Sequence, residues 1–154
     1  MRALHVGLRV AELARSLAVY RAVGYQVLGE VPEPGIGHLT MLKLPDDDFV
    51  TLELVHHADV RPSGGDSALS HLVIQVDNME ATRTMLSARG IAVDEPTSPD
   101  GSPDFWTVVI ADPDGNRIEL VQWPHGHANG ITAADFPSPG AALSSCGYGQ
   151  ISGH

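Results

Sequence analysis

The sequence predicts an α+β protein made of two βαβββ modules, each with a curled mixed sheet. Two observations predict it. His5 precedes Glu53 by 48 residues, and His71 precedes Glu119 by the same 48. The residues around these four also match at a single offset of 66. Leu4-His5-Val6-Gly7-Leu8-Arg9-Val10 lies over Ser70-His71-Leu72-Val73-Ile74-Gln75-Val76, and Gly24 lies over Gly90. Asp48-Phe49-Val50-Thr51-Leu52-Glu53-Leu54-Val55 lies over Asp114-Gly115-Asn116-Arg117-Ile118-Glu119-Leu120-Val121. A match at both ends of a module with one offset marks a duplication, and the period is too long for a solenoid unit.

The elements follow in the same order in each copy. Residues 4–10 are rich in Leu and Val and read as a buried strand. Residues 12–23 read as a helix, with Leu13, Leu17 and Tyr20 on one face. Gly24 suits its C-terminus, where a left-handed residue is needed. Residues 25–31, 38–44 and 49–56 read as strands, punctuated by Pro32-Glu33-Pro34-Gly35 and Pro45-Asp46-Asp47-Asp48. In the second copy residues 70–76 form the first strand. Asp77 or Asn78 can cap a helix that turns Met79, Thr82, Met85 and Leu86 inward and ends at Gly90. Residues 91–95, 105–111 and 116–123 complete it, with Asp112-Pro113-Asp114-Gly115 as a tight turn. The boundaries are therefore 1–57 for the first module, 58–68 for the linker and 69–124 for the second module. Residues 125–154 form a tail rich in Gly, Ala, Ser and Pro, expected to be mobile from about Pro137.

Composition narrows the class. The chain has 154 residues, 43% of them hydrophobic, enough for a sizeable core in one domain or two packed halves. Nine basic against 19 acidic residues give a net charge of −10. That argues against nucleic acid or an anionic membrane as partner, since both need Lys/Arg patches. No apolar run reaches the roughly 20 residues that span a bilayer. Arg9, Glu12 and Arg15 interrupt any signal-like region, and Cys146 has no partner for a disulfide. A cytoplasmic protein is expected.

The repeated His and Glu carry the chemistry. Side chains alternate along a strand, so Glu53 shares a face with Thr51 and Val55 while Leu52 and Leu54 point the other way. A carboxylate in the middle of Val50-Thr51-Leu52-Glu53-Leu54-Val55 needs a partner or a metal. The same holds for Glu119. Two curled sheets facing each other would set His5, Glu53, His71 and Glu119 around one ion. Alone, a strand His is more often a hydrogen-bonded structural residue; the repetition makes these four candidates for a ligand set. His38, His56, His57, His125, His127 and His154 read as ordinary structural or solvated residues. Trp106 and Trp123 read as core or interface, and Cys146 as an inert thiol.

The duplicated modules, with Leu4-His5-Val6-Gly7-Leu8-Arg9-Val10 near the start and Asp112-Pro113-Asp114-Gly115-Asn116-Arg117-Ile118-Glu119-Leu120-Val121 near the end, resemble the vicinal oxygen chelate superfamily. This is the glyoxalase/bleomycin resistance/dihydroxybiphenyl dioxygenase fold. Within it the chain is most similar to small bacterial glyoxalase I proteins, the lactoylglutathione lyases, over residues 1 to about 124. The resemblance implies that His5, Glu53, His71 and Glu119 hold one divalent ion per site: Ni, Co or Zn, with Mn or Fe also open. It implies a lyase that isomerises a hemithioacetal of methylglyoxal and a small thiol to a 2-hydroxyacyl thioester. The metal would act as a Lewis acid, Glu119 as the catalytic base and Glu53 as ligand and partner base. Arg9 matches an Arg near the thiol's carboxylate and is a substrate-binding candidate. His57 stands where an Asn is frequent, which leaves glutathione, mycothiol and bacillithiol open as the thiol. The resemblance also implies a homodimer with sites at its interface. The other readings are an epimerase or dioxygenase on the same scaffold, or a protein that sequesters a drug.

Overall fold

The computed structural model describes residues 3–33, 37–57, 59 and 69–131. Most of the expected linker and the tail beyond residue 131 lie outside them. The chain divides into two compact units: Met1–Ser70 with Ala111–Arg117, and His71–Ile110 with Ile118–His154.

The first unit holds β1 (Val6–Val10), α1 (Leu13–Ala22), β2 (Gln26–Glu33), β3 (Gly37–Lys43) and β4 (Leu52–His56). The strands form one mixed sheet in the order β1-β4-β3-β2. β1 runs parallel to β4, and β3 runs antiparallel to both its neighbours. Alternation divides the sheet into two faces. Leu8, Val10, Leu42, Leu52 and Leu54 are buried, as are Ser16, Leu17 and Tyr20 of α1. The opposite face carries Gly7, Arg9, Met41, Glu53 and Val55, with Gly7 paired to Glu53 and Arg9 to Val55. Gly24, with φ 112°, turns the chain out of α1 as expected.

The second unit holds β5 (Leu72–Gln75), α2 (Met79–Ala88), β6 (Trp106–Ala111) and β7 (Arg117–Gln122), the strands in the order β5-β7-β6. β5 and β7 are parallel. Ile74, Val108, Ile110, Ile118 and Leu120 are buried together with Met79 and Leu86 of α2. Of the two candidate caps, Asn78 is the one that serves: its side chain accepts from Ala81 N at 2.8 Å.

Two strands differ from expectation. Residues 91–95 form no strand; Thr97 and Thr107 make one isolated bridge instead. Pro96 lacks an N–H and so cannot donate to a ladder at its own position. β4 begins at Leu52 rather than residue 49. The Asp47 carboxylate binds Leu44 N and Thr51 Oγ1, which holds the preceding residues in a turn.

A buried carboxylate ties the turn at residues 112–116 to α1. Asp112 accepts from Tyr20 Oη (3.0 Å), Asp114 N, Asn116 N and Asn116 Nδ2 (each 2.9 Å). Asp114 accepts in turn from Ala11 N and Ser16 Oγ. Burial, then the nearby Asp112, pushes the Tyr20 phenol up from its ordinary value of 10.0. The sign of the pH effect follows. Below the unfolded value both states keep the proton; above it only the unfolded chain ionises, so stability falls as pH rises past about 10. Tyr20→Phe is therefore expected to cost about 1–3 kcal/mol at neutral pH and to flatten the alkaline limb of stability against pH. Thermal unfolding across pH checks both; an unchanged midpoint and alkaline limb would refute the role.

Candidate functional site

Each unit carries one His–Glu pair, in the first on the sheet face opposite Leu52 and Leu54 and in the second on the face opposite Ile118 and Leu120. In the first unit His5 precedes β1, and Glu53 is the second residue of β4. Because β1 and β4 are parallel neighbours, His5 Nε2 comes to 3.3 Å from Glu53 Oε2. Gly7 leaves room for the carboxylate: a Cβ there would stand 3.4 Å from Glu53 Oε1. In the second unit His71 precedes β5, and Glu119 sits in parallel β7 beside Val73. His71 Nε2 lies 3.4 Å from Glu119 Oε2. The side chains of Glu53 and Glu119 are 14% and 28% exposed, and those of His5 and His71 are 35% and 41% exposed. The duplication in sequence is thus a duplication in geometry.

The donor chemistry fits a divalent ion. An imidazole nitrogen and a carboxylate oxygen are ordinary ligands at bond lengths of about 2.1 Å, which sets adjacent donors about 3.0–3.4 Å apart. Both pairs have that bite. Among the described residues no group of three or more His, Cys, Asp or Glu that could hold a metal ion gathers within the chain.

Arg9 is exposed on β1, on the same face as Gly7 and beside Val55. His57 continues that face of β4 by alternation, and its Nδ1 accepts from Asp59 N at 3.1 Å. A cavity of about 470 Å³ opens at the start of α2 among Met79, Glu95, Trp106 and Gln122. Gln122 accepts from Met79 N there, on the helix side of the sheet. The cavity therefore lies behind the sheet from His71 and Glu119, and Trp106 belongs to it.

The sequence reading missed the surroundings of Glu119. Strand alternation puts Val121 and Trp123 on its face, and Phe105 on the matching face of β6. Phe105 and Trp123 stack with ring centroids 5.3 Å apart at 21°, and His127 stacks on Trp123 at 4.5 Å and 11°. The i, i+4 spacing of Glu119 and Trp123 on one strand was the available signal.

Two mixed sheets, each with one covered face and one bearing a His–Glu pair, define a duplicated βαβββ-like scaffold of the glyoxalase fold. The chain belongs to the glyoxalase/bleomycin resistance protein/dioxygenase superfamily, whose family model matches residues 2–120. Lactoylglutathione lyase from Neisseria meningitidis serogroup B is 35% identical over 133 residues, covering 82% of this chain and 94% of the relative. The Salmonella typhimurium enzyme of that name is 30% identical over 125 residues, covering 79% and 93%. Among solved structures, the trypanothione-dependent glyoxalase I of Leishmania major superposes with a TM-score of 0.64 at 27% identity, covering 79% of this chain and 86% of that one. An antibiotic-binding protein from Streptomyces sp. CB03234 gives 0.63 at 26% identity, covering 80% and 98%. No helix among the described residues is long and apolar enough to cross a membrane.

Proposed function

We propose that the protein is a glyoxalase I-type lyase that converts a hemithioacetal of methylglyoxal and a small thiol into a 2-hydroxyacyl thioester. The observation that carries this reading is the paired geometry of His5 with Glu53 and His71 with Glu119, each pair on an accessible sheet face. His5, Glu53, His71 and Glu119 would hold one divalent ion per site, Ni, Co or Zn among the candidates. When bound, that ion supplies Lewis-acid stabilisation of negative charge on adjacent substrate oxygens. The two pairs of one site come from the two subunits of a homodimer, a symmetric arrangement that also covers the exposed sheet faces.

The chain's own step is a proton transfer. Glu119 takes the proton from the carbon that bears sulfur and hydroxyl, and returns it to the neighbouring carbonyl carbon. The first carbon becomes the thioester carbonyl as its hydroxyl releases a proton; the second becomes a secondary alcohol as its oxygen gains one. No atom or electron is gained or lost overall. Glu53 is a ligand and the partner base. Arg9, exposed on the same face as Glu53, would meet an anionic group of the thiol.

A second reading, sequestration of a drug, draws on the structural likeness to the antibiotic-binding protein and on exposed apolar residues such as Val73 and Val109. It gives no reason for both His–Glu pairs. The test is turnover by metal-stripped protein reloaded separately with Ni(II), Co(II), Zn(II), Mn(II) or Fe(II). Methylglyoxal is supplied with glutathione or with mycothiol, and thioester absorbance is followed. Metal-dependent thioester formation is expected. Stoichiometric metal binding without thioester from any pair would reject this activity and favour an epimerase.

A further inference from the structure

Residues 124–131 leave β7 and cross the end of the second unit's sheet as a strap. On the β6 side His125 N donates to Asp104 Oδ2 at 3.0 Å. A tight turn follows, with His127 N donating to Pro124 O at 3.0 Å. On the β5 side Asn129 Oδ1 accepts from Gln75 Nε2 at 3.1 Å. Gln75 pairs with Val121, the cross-strand row next to Val73–Glu119, and two residues of strand separate rows by about 7 Å. The strap thus walls one end of the face that bears His71 and Glu119. At its middle the His127 ring lies flat on Trp123, with Nδ1 donating to Ala128 O at 2.7 Å.

We infer that His127 is a built-in occupant of a subsite for a planar aromatic or heteroaromatic group, and that such a group on the ligand displaces it from Trp123. The ring geometry argues for this class. An imidazole parallel to an indole at 4.5 Å marks an indole face that a flat ring can cover in full and a saturated chain cannot. Phe105 also stacks on Trp123, which helps to hold the indole in place. A larger ring offers more stacking area than an imidazole. The strap's bonds to Asp104 and Gln75 are solvent-exposed, so water can replace these two at small cost. The inference rests on the proposed reading of this face as the substrate face. Its test reads binding rather than turnover, so its failure and the failure of the lyase reading are separable.

Naphthalene-2-carboxamide, which is neutral and planar, is titrated into full-length protein while the Trp123 indole N–H signal is followed by NMR. Trp123→Phe identifies that signal, and cyclohexanecarboxamide serves as the saturated control. The naphthyl probe is expected to shift the Trp123 signal in the wild type. In His127→Ala it should do so at roughly three- to ten-fold lower concentration, because the competitor is gone. The cyclohexyl probe should be indifferent to that substitution, and Trp123→Leu should lose the preference for the flat ring. Equal naphthyl midpoints in the wild type and His127→Ala, or no shift of Trp123, would overturn the inference.

Discussion

Glu119→Gln is expected to lower turnover by roughly 10²–10⁴-fold while the protein stays folded. The carboxamide keeps the size of the side chain and one acceptor oxygen, but it cannot take a proton. Glu119 lies in the middle of β7 with buried Ile118 and Leu120 on either side, so the swap alters one accessible atom and no core contact. The loss has two possible origins, since Glu119 would be ligand as well as base. They separate if activity is measured at saturating metal with metal content determined alongside. Loss of the base lowers kcat at full metal occupancy; loss of a ligand is recovered by adding metal. Glu53→Gln is the internal comparison, since Glu53 stands in the same relation to His5 at 3.3 Å. Full turnover in Glu119→Gln, or a larger loss in Glu53→Gln, would move the proton transfer to Glu53.

The two pairs were legible in the sequence because strand alternation and duplication are both written in residue spacing. Glu53 flanked by Leu52 and Leu54, and Glu119 flanked by Ile118 and Leu120, each announce a carboxylate pointing away from a core. The parallel pairing that brings His5 to Glu53 is less legible, since no local signal sets which strands become neighbours. It follows from the matching fold of the two copies. Where the reading of elements went astray, a side chain or a proline had overridden an apolar run. Asp47 draws Thr51 into a turn, and Pro96 cannot donate to a ladder. Longer-range ties were out of reach altogether. Asp112 was legible as a turn residue, but nothing near it in sequence points to Tyr20, 92 residues away. The stack of His127 on Trp123 was missed because His125 and His127 sit in a Gly-rich tail that composition alone assigns to solvent.

Mixing two inactive variants is expected to restore activity. Each subunit offers His5 with Glu53 from one unit and His71 with Glu119 from the other. His5→Ala spoils the first pair and His71→Ala the second, so either homodimer has no complete ligand set. In a heterodimer whose sites form between subunits, one site takes both spoiled pairs and the other takes both intact ones. Random exchange makes half the dimers mixed, so about one quarter of wild-type activity returns, and about half in purified heterodimer. If each site formed within one chain, every site in the mixture would lack a ligand and no activity would return. Both His side chains are partly exposed, at 35% and 41%, so Ala at either position should leave the unfolding midpoint near that of the wild type. Metal content gives the same answer without turnover: the purified heterodimer should bind about one tight ion per dimer, against two in the wild type. Inert mixtures of folded heterodimer would reject the intersubunit site and require each chain to complete its own.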